Sequence, residues 1–396
     1  MSALSGRNMT VSTVLIVVLC VSVCTHAAPI AGSDVKFTKI VLDTAFRAEG
    51  VAAADVNRDG LPDVIAGEVW YQAPDWKMHE IQTPGQYDPA KGYSATFSNY
   101  AYDVNGDGWV DSITTTMMGQ PCRWFENPKG QPGHWKARVG ADSACNETPL
   151  FADLFGNGKC VPLFGVRPAG DMAWFEFTKD PEAKWTMHRI AGPEAPGTQQ
   201  FSHGLGVGDV NGDGRNDVLI TEGWWEAPQD RRQTDWKFHP VKLGDACSDM
   251  LVYDIDEDGD SDIITSSAHN YGVWWFEQIP VPGADPTFKQ HEICKDFSQT
   301  HALKLVDING DGKKDFVAGK RYFAHMGKDP GANEPAYLYW FEIGKKDSSG
   351  KCPISRHLID DDSGAGTQFD VTDFNKDGRP DIAISNKKGV FVFIQK

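Results

Sequence analysis

The sequence predicts an all-β, seven-bladed β-propeller, and three observations carry that prediction. A nine-residue pattern, Asp-x-Asn/Asp-x-Asp-Gly-x-x-Asp, begins at Asp55, Asp103, Asp209, Asp254, Asp307 and Asp373, and a degraded seventh copy begins at Asp153. The copies recur at roughly fifty-residue spacing, the mark of a repeat architecture. Each lies between two short apolar stretches, such as Gly206-Val207-Gly208 and Val218-Leu219-Ile220, and no segment carries helical periodicity.

The elements follow in chain order. Residues 1–28 read as a signal peptide: a basic start through Arg7, an apolar run from Val11 to Cys24, and small residues ending at Ala27 or Ala28. The run is shorter than the ~18 apolar residues that a spanning helix needs. The expectation is a secreted or periplasmic protein with no membrane anchor after cleavage. Residues 29–396 are assigned to the propeller. Val35–Val41 resembles the outermost strand of a repeat, although it comes first. It is expected to complete the last blade, so that the N-terminal strand closes the ring and removes an open edge.

Within a repeat, a strand of small residues (Val51–Ala54) leads into the acidic loop, and an apolar strand (Val64–Ala66) leaves it. A third strand is aromatic, as at Val69–Tyr71, Arg123–Phe125, Ala173–Phe175, Trp224–Trp225, Val273–Phe276 and Tyr339–Phe341. An outer strand carries Trp/Phe-x-x-His-x-Ile, at Trp76–Ile81, Trp185–Ile190, Trp236–Val241 and Phe288–Ile293, with a related Ile354–Ile359. Four short strands per unit around a common centre make a propeller blade. His79, His188, His239, His291 and His357 fill the same periodic slot and are read as structural.

The acidic loops have the ligand logic of an EF-hand without its helices: oxygens at positions 1, 3, 5 and 9, and Gly at 6 for the turn. The expected calcium ligands are Asp55, Asn57, Asp59 and Asp63; Asp103, Asn105, Asp107 and Asp111; Asp209, Asn211, Asp213 and Asp217; Asp254, Asp256, Asp258 and Asp262; Asp307, Asn309, Asp311 and Asp315; and Asp373, Asn375, Asp377 and Asp381. The copy at Asp153 has lost positions 3 and 9. Up to six structural Ca2+ ions would offset much of the net charge of −17. Basic patches interleaved with aromatics are absent, which argues against a nucleic-acid partner. Six cysteines follow the leader with no metal-type spacing, and Cys247 with Cys294 is a candidate disulfide in an exported protein. Asn146-Glu147-Thr148 is a glycosylation sequon.

Chemistry is expected where the repeats differ. The loops lie on one face, so the opposite face collects residues leading into the first strands and those between second and third strands. Six residues before each loop stand Glu49, Phe97, Glu147, His203, Ser248, His301 and Thr367. The second-to-third connections add His269 and an insertion, Gly319–Pro330, with Lys320, Arg321, Tyr322 and His325. His203, His269, His301 and His325 all fall outside the structural slot and are expected to converge, with Glu147 and Asp249 near. Two histidines and a carboxylate suit Zn2+ or another divalent metal such as Mg2+. The same groups suit general acid–base work with Lys320, Arg321 or Tyr322 as charge stabilisers, and the spacing leaves both open. Trp224, Trp225, Trp274, Trp275, Tyr271 and Tyr322 lie nearby, as sugar-stacking surfaces or as packing between blades.

Around these loops the chain resembles the FG-GAP/VCBS repeats of integrin-type and secreted bacterial propellers, over residues 35–396. Ser202-His203-Gly-Leu-Gly-Val-Gly-Asp-Val-Asn-Gly-Asp-Gly214, Gly223-Trp-Trp-Glu226 and Gly319-Lys-Arg-Tyr-Phe-Ala-His325 are similar to the propeller domain of the aldos-2-ulose (anhydrofructose) dehydratase group. That resemblance implies elimination of water from keto-sugars with a divalent metal. The expected function is a carbohydrate lyase or dehydratase performing β-elimination on a keto-sugar or oxidised glycan, with carbohydrate as partner. A non-catalytic glycan- or protein-binding propeller and a metal-assisted glycoside hydrolase are the alternatives.

Overall fold

The computed structural model describes residues 34–245, 249–348 and 351–396. The expected signal peptide, Cys247 and Ser248 lie outside the described residues. The fold is all-β and propeller-like, with a short 3-10 turn at Ala324–Gly327. No helix among the described residues is long and apolar enough to cross a membrane.

Each acidic loop joins the first and second strands of an antiparallel meander. In the first meander, Ala52–Ala54 runs into the loop and Asp63–Ala66 leaves it, followed by Val69–Gln72 and Lys77–Glu80. The small first strand faces the crowded centre, and the aromatic third strand fills the widening space between neighbouring sheets. Val64, Val69 and Tyr71, for example, share one buried cluster with Phe374, Ile382 and Ile384.

The expectation of seven separate blades needs correction. The described hydrogen bonding gives five four-stranded sheets and one eight-stranded sheet. The larger sheet joins two meanders, Leu205–Pro240 and Asp249–Ser298, through parallel pairing of Leu205 with Asp249 and Gly206 with Met250. The cause lies in the glycines of the first strand. A Cβ on Gly206 would sit 2.5 Å from the Met250 carbonyl oxygen, and one on Gly208 would sit 2.4 Å from Val252 Cβ. Without side chains there, the two inner strands approach closely enough to pair.

The ring closes as the sequence suggests. Phe37–Asp43 pairs antiparallel with Gly389–Gln395, setting Phe37 opposite Gln395. Asp43 secures this seam by accepting from Arg47 Nε at 2.7 Å, Tyr71 Oη at 2.9 Å and the Ala45 amide at 2.8 Å.

The periodic histidines are structural. His79, His188, His239, His291 and His357 stack on Trp70, Trp174, Trp224, Trp275 and Trp340, with ring centroids 3.9–4.6 Å apart. Four of them also place Nε2 against a glutamate of the neighbouring third strand (Glu176, Glu226, Glu277 or Glu342), and His79 meets Gln72 instead. Trp224, Trp225, Trp274 and Trp275 are all buried, so they pack between strands and offer no sugar-stacking surface.

Candidate active site at the loop-free face

The acidic loops and the histidine cluster occupy opposite faces. The loops run from first to second strand. Glu49, Glu147, His203 and His301 lie just before first strands or at their start, and His269 and Arg321 follow second strands.

In the loops, the ninth-position aspartate has a role that the motif alone did not reveal. Asp63 accepts from the Val56 amide at 3.0 Å and the Ala73 amide at 2.8 Å, tying the loop to the end of the third strand. Asp111, Asp217, Asp262, Asp315 and Asp381 accept two amides in the same way. A carboxylate oxygen has two lone pairs, so these bonds leave room for a cation. The donor set fits one: Asp55 Oδ1 and Asp256 Oδ1 are buried without a hydrogen-bond partner. Asp254, Asp256 and Asp262 hold ligating oxygens within 4.8 Å of one another. Burial, with the neighbouring loop aspartates, pushes the Asp63 carboxyl up to about 7. The degraded loop is held by the Asp153 carboxylate, which accepts from the Phe155, Asn157 and Gly158 amides, and by Asn157 Oδ1, which accepts from the Lys159 amide.

On the other face, Glu147, His203, His269 and His301 bring ligating atoms within 4.8 Å of one another. His301 is fully buried, and its Nδ1 donates to the Gln299 carbonyl at 3.2 Å. This bond sets the tautomer and leaves Nε2 as a bare lone pair. Nε2 has no hydrogen-bond partner, and its nearest carboxylate oxygen, Glu147 Oε1, is 4.0 Å away. Burial and the Arg321 charge hold the His301 imidazole well below its usual range, hence neutral. His203 Nε2 lies 2.8 Å from Glu147 Oε2 and is paired with that carboxylate. The unpartnered imidazole nitrogen of His301, a nitrogen of His203 and the Glu147 carboxylate, with ligating atoms within 4.8 Å of one another, could serve as the three protein ligands of a divalent metal.

Arg321 completes the floor from below. It is fully buried, with Nε 3.1 Å from Glu49 Oε2 and Nη1 bonded to Glu147 Oε1. Burial disfavours the guanidinium charge, but Glu49 and Glu147 override it and hold the pKa above its ordinary value. For Glu147, burial raises the pKa, and Arg321, His203 and His301 together bring it well below the carboxylate range.

Above the floor opens a cavity of ≈ 750 Å3. His269 and His325 stand on its wall with ring centroids 4.7 Å apart. Asp329 Oδ2 faces His325 Nδ1 at 2.9 Å, Gln299 Nε2 at 3.2 Å and His269 Nδ1 at 3.5 Å. Burial, with His203 beside it, lowers the His269 pKa, so this ring is neutral near pH 7. Tyr93 lines the opposite side, its Oη accepting the His325 amide at 2.9 Å. The backbone is strained here: Phe201, Gln299, Phe323, His325 and Met326 all have positive φ. Non-glycine residues in that region cluster at functional sites.

Of the candidates, His203, His269, His301, His325, Glu147 and Arg321 come together. Lys320 and Tyr322 do not. Lys320 is buried, and its ammonium binds the Gly331 and Glu334 carbonyls, pinning the insertion. Tyr322 packs against Phe323 and under Lys388, outside the cavity. Asp249 accepts the Leu303 amide at 3.0 Å and supports a strand end instead of the cluster. Asn146 is buried between Gly197 and Gly165, so the sequon is closed to a glycan in the folded chain. Cys294 is a free thiol hydrogen-bonded to Asp296.

Tyr93, Gln299 and Asp329 were missed by the sequence reading. Asp329 falls within the Gly319–Pro330 insertion and could have been found as the i+4 partner of His325. Tyr93 and Gln299 occupy irregular segments that no repeat position marks.

Residues 254–318 match the family described as FG-GAP-like repeat. No curated protein matches the sequence, and the resemblance to aldos-2-ulose dehydratases rests on the quoted residues alone. Among solved structures, an Agrocybe aegerita lectin that recognises non-reducing terminal N-acetylglucosamine is similar at 16% identity and TM-score 0.42, over 83% of this chain and 82% of that one. The exotype rhamnogalacturonan lyase YesX aligns at 13% identity and TM-score 0.47, over 92% and 75%. A Bacillus licheniformis rhamnogalacturonan lyase aligns at 12% identity and TM-score 0.46, over 91% and 75%.

Proposed function

We propose that the chain is a secreted, calcium-stabilised carbohydrate lyase or dehydratase that carries out β-elimination on a keto-sugar or oxidised glycan. The observation that carries this reading is the unpartnered His301 Nε2 together with His203 and Glu147, whose ligating atoms lie within 4.8 Å of one another beside the cavity. Glu147, His203 and His301 would hold a divalent metal, which supplies positive charge for the oxygen of an enolate.

The remaining groups are placed for proton handling. His269 Nδ1 faces Asp329, so Nε2 is the free basic nitrogen that accepts the proton from the carbon beside the carbonyl. The released electron pair forms the carbon–carbon double bond as the carbon–oxygen bond to the leaving group breaks. Tyr93 Oη keeps its own proton while accepting the His325 amide, and it protonates the departing oxygen. Arg321 does not reach the cavity; it holds Glu147 ionised and oriented.

The test is incubation with keto-sugars and oxidised glycans while following enone absorbance. Wild type should produce enone, and His203→Ala and His269→Gln should not, with unchanged thermal melts. Absence of enone from wild type across these substrates, with retained glycan binding, would replace the enzyme by a binding propeller.

A further inference from the structure

The cavity carries more apolar lining than elimination on a bare sugar requires. Its polar side chains are Glu147, His203, His269, His325, Lys328 and Asp329, and its apolar and aromatic ones are Tyr93, Phe97, Met117, Met118, Phe201 and Met326. Met117 is 42% exposed and Phe201 48% exposed, so large apolar side chains are left facing solvent at the mouth of a polar site. Phe201 also holds a positive φ of 68°. Its amide donates to the Cys145 carbonyl at 3.0 Å and Gln200 Nε2 donates to the Met118 carbonyl at 2.7 Å, so the lip is built and not loose. The volume of ≈ 750 Å3 lies well inside the ~300–1,000 Å3 range of sites for drug-sized ligands.

We infer that the substrate carries an aryl or alkyl group next to the sugar: a glycoside with an apolar aglycone, the sugar ring held by the polar groups and the aglycone against the thioether and aromatic side chains. Three methionines give that wall a soft, adaptable surface that accepts aglycones of varied shape. Tyr93 and Phe97 pack with centroids 5.2 Å apart and form its rigid part. Arg321 lies beneath both rings at 5.3 and 5.8 Å, which holds them in place from the buried side. This inference rests on the cavity being the carbohydrate site proposed above.

Binding separates the two ideas because it does not require turnover. Calorimetry with phenyl and octyl glucosides and with glucose should show the substituted sugars binding about 10–100-fold more tightly, the discrimination that an apolar pocket supplies. Met117→Gln and Phe201→Ser should remove most of that preference and leave the weak glucose affinity unchanged. Equal affinity for glucose and the phenyl glucoside, or a preference that survives both substitutions, overturns the inference whether or not enone is formed. A preference seen in binding, with no enone from keto-glycosides of the same aglycones, keeps the inference and removes the lyase.

Discussion

Arg321→Met is the sharpest perturbation of the core of the site. The guanidinium is fully buried and is the cation shared by Glu49 and Glu147, both also buried. Methionine keeps an unbranched apolar stem, though a shorter one, and leaves two carboxylates without their counter-ion. Removing one partner of a buried ion pair costs about 3–5 kcal/mol, mostly the penalty of the charge left behind. At roughly 2–3 °C per kcal/mol for a chain of this size, Tm should fall by about 6–15 °C. The assay is thermal unfolding by circular dichroism at neutral pH in calcium. The design includes Glu147→Gln and the double variant. Because Arg321 and Glu147 interact directly, the double variant should lose less than the sum of the singles, with a coupling of about 1–3 kcal/mol. Zn2+ should restore part of the loss in Arg321→Met, since a divalent ion at Glu147 takes over as its counter-charge. A loss below about 1 kcal/mol, or strict additivity, would refute the argument that Arg321 holds the floor together.

Four further outcomes are expected. Withdrawing calcium with EGTA should lower Tm, and Asp213→Ala should remove one ion from the calorimetric stoichiometry; a melt indifferent to EGTA would take calcium out of the loops. Gly208→Ala should destabilise by about 1–3 kcal/mol in urea titrations, because the new methyl meets Val252 Cβ. Burial raises the Asp43 carboxyl, but bonds from Ala45, Arg47 and Tyr71 outweigh it and lower its pKa below the ordinary carboxylate value. Its stabilisation is therefore present above about pH 4 and is lost as pH falls through the folded value, so the melts of wild type and Asp43→Asn should differ at pH 7 and converge as acidification protonates the folded-state carboxyl. Gln299→Gly relieves a left-handed non-glycine backbone but removes a fully buried side chain and its bond to Asp329, so loss of that amide should alter the His269 imidazole signals in NMR; unchanged signals would separate Gln299 from the site.

Much of the architecture was legible because the loops, small strands and aromatic strands repeat, and repetition averages out local ambiguity. The ring closure was readable from one strand of outer type placed at the wrong end of its own repeat. The convergence of His203, His269 and His301 was legible for a related reason: each breaks the periodic pattern at a position that the pattern itself defines. What could not be read were contacts that depend on close approach between repeats. The Gly206 and Gly208 strand looks like every other first strand until its neighbour arrives. The run Lys136–Ala144 forms a full outer strand without the His-containing signature, so it went unrecognised. Lys320 and Tyr322 were taken with Arg321 because they adjoin it. Along an extended backbone, however, neighbours point to opposite sides, and only Arg321 turns toward the cluster.

The seam between Phe37–Asp43 and Gly389–Gln395 has a consequence for the order in which the chain is built. A chain made from its N-terminus holds one strand of that four-stranded sheet for almost the whole of its synthesis without a partner. Local meanders can form as they emerge, because their contacts are close in sequence. The seam cannot form until the last strand is released, and neither can the contact of Glu49 with Arg321 until the insertion arrives. The ion-paired floor of the cavity is therefore among the last parts to be assembled. Until then, the unpaired edge of Phe37–Asp43 is exposed to other nascent chains, and the speed of closure sets how long that exposure lasts.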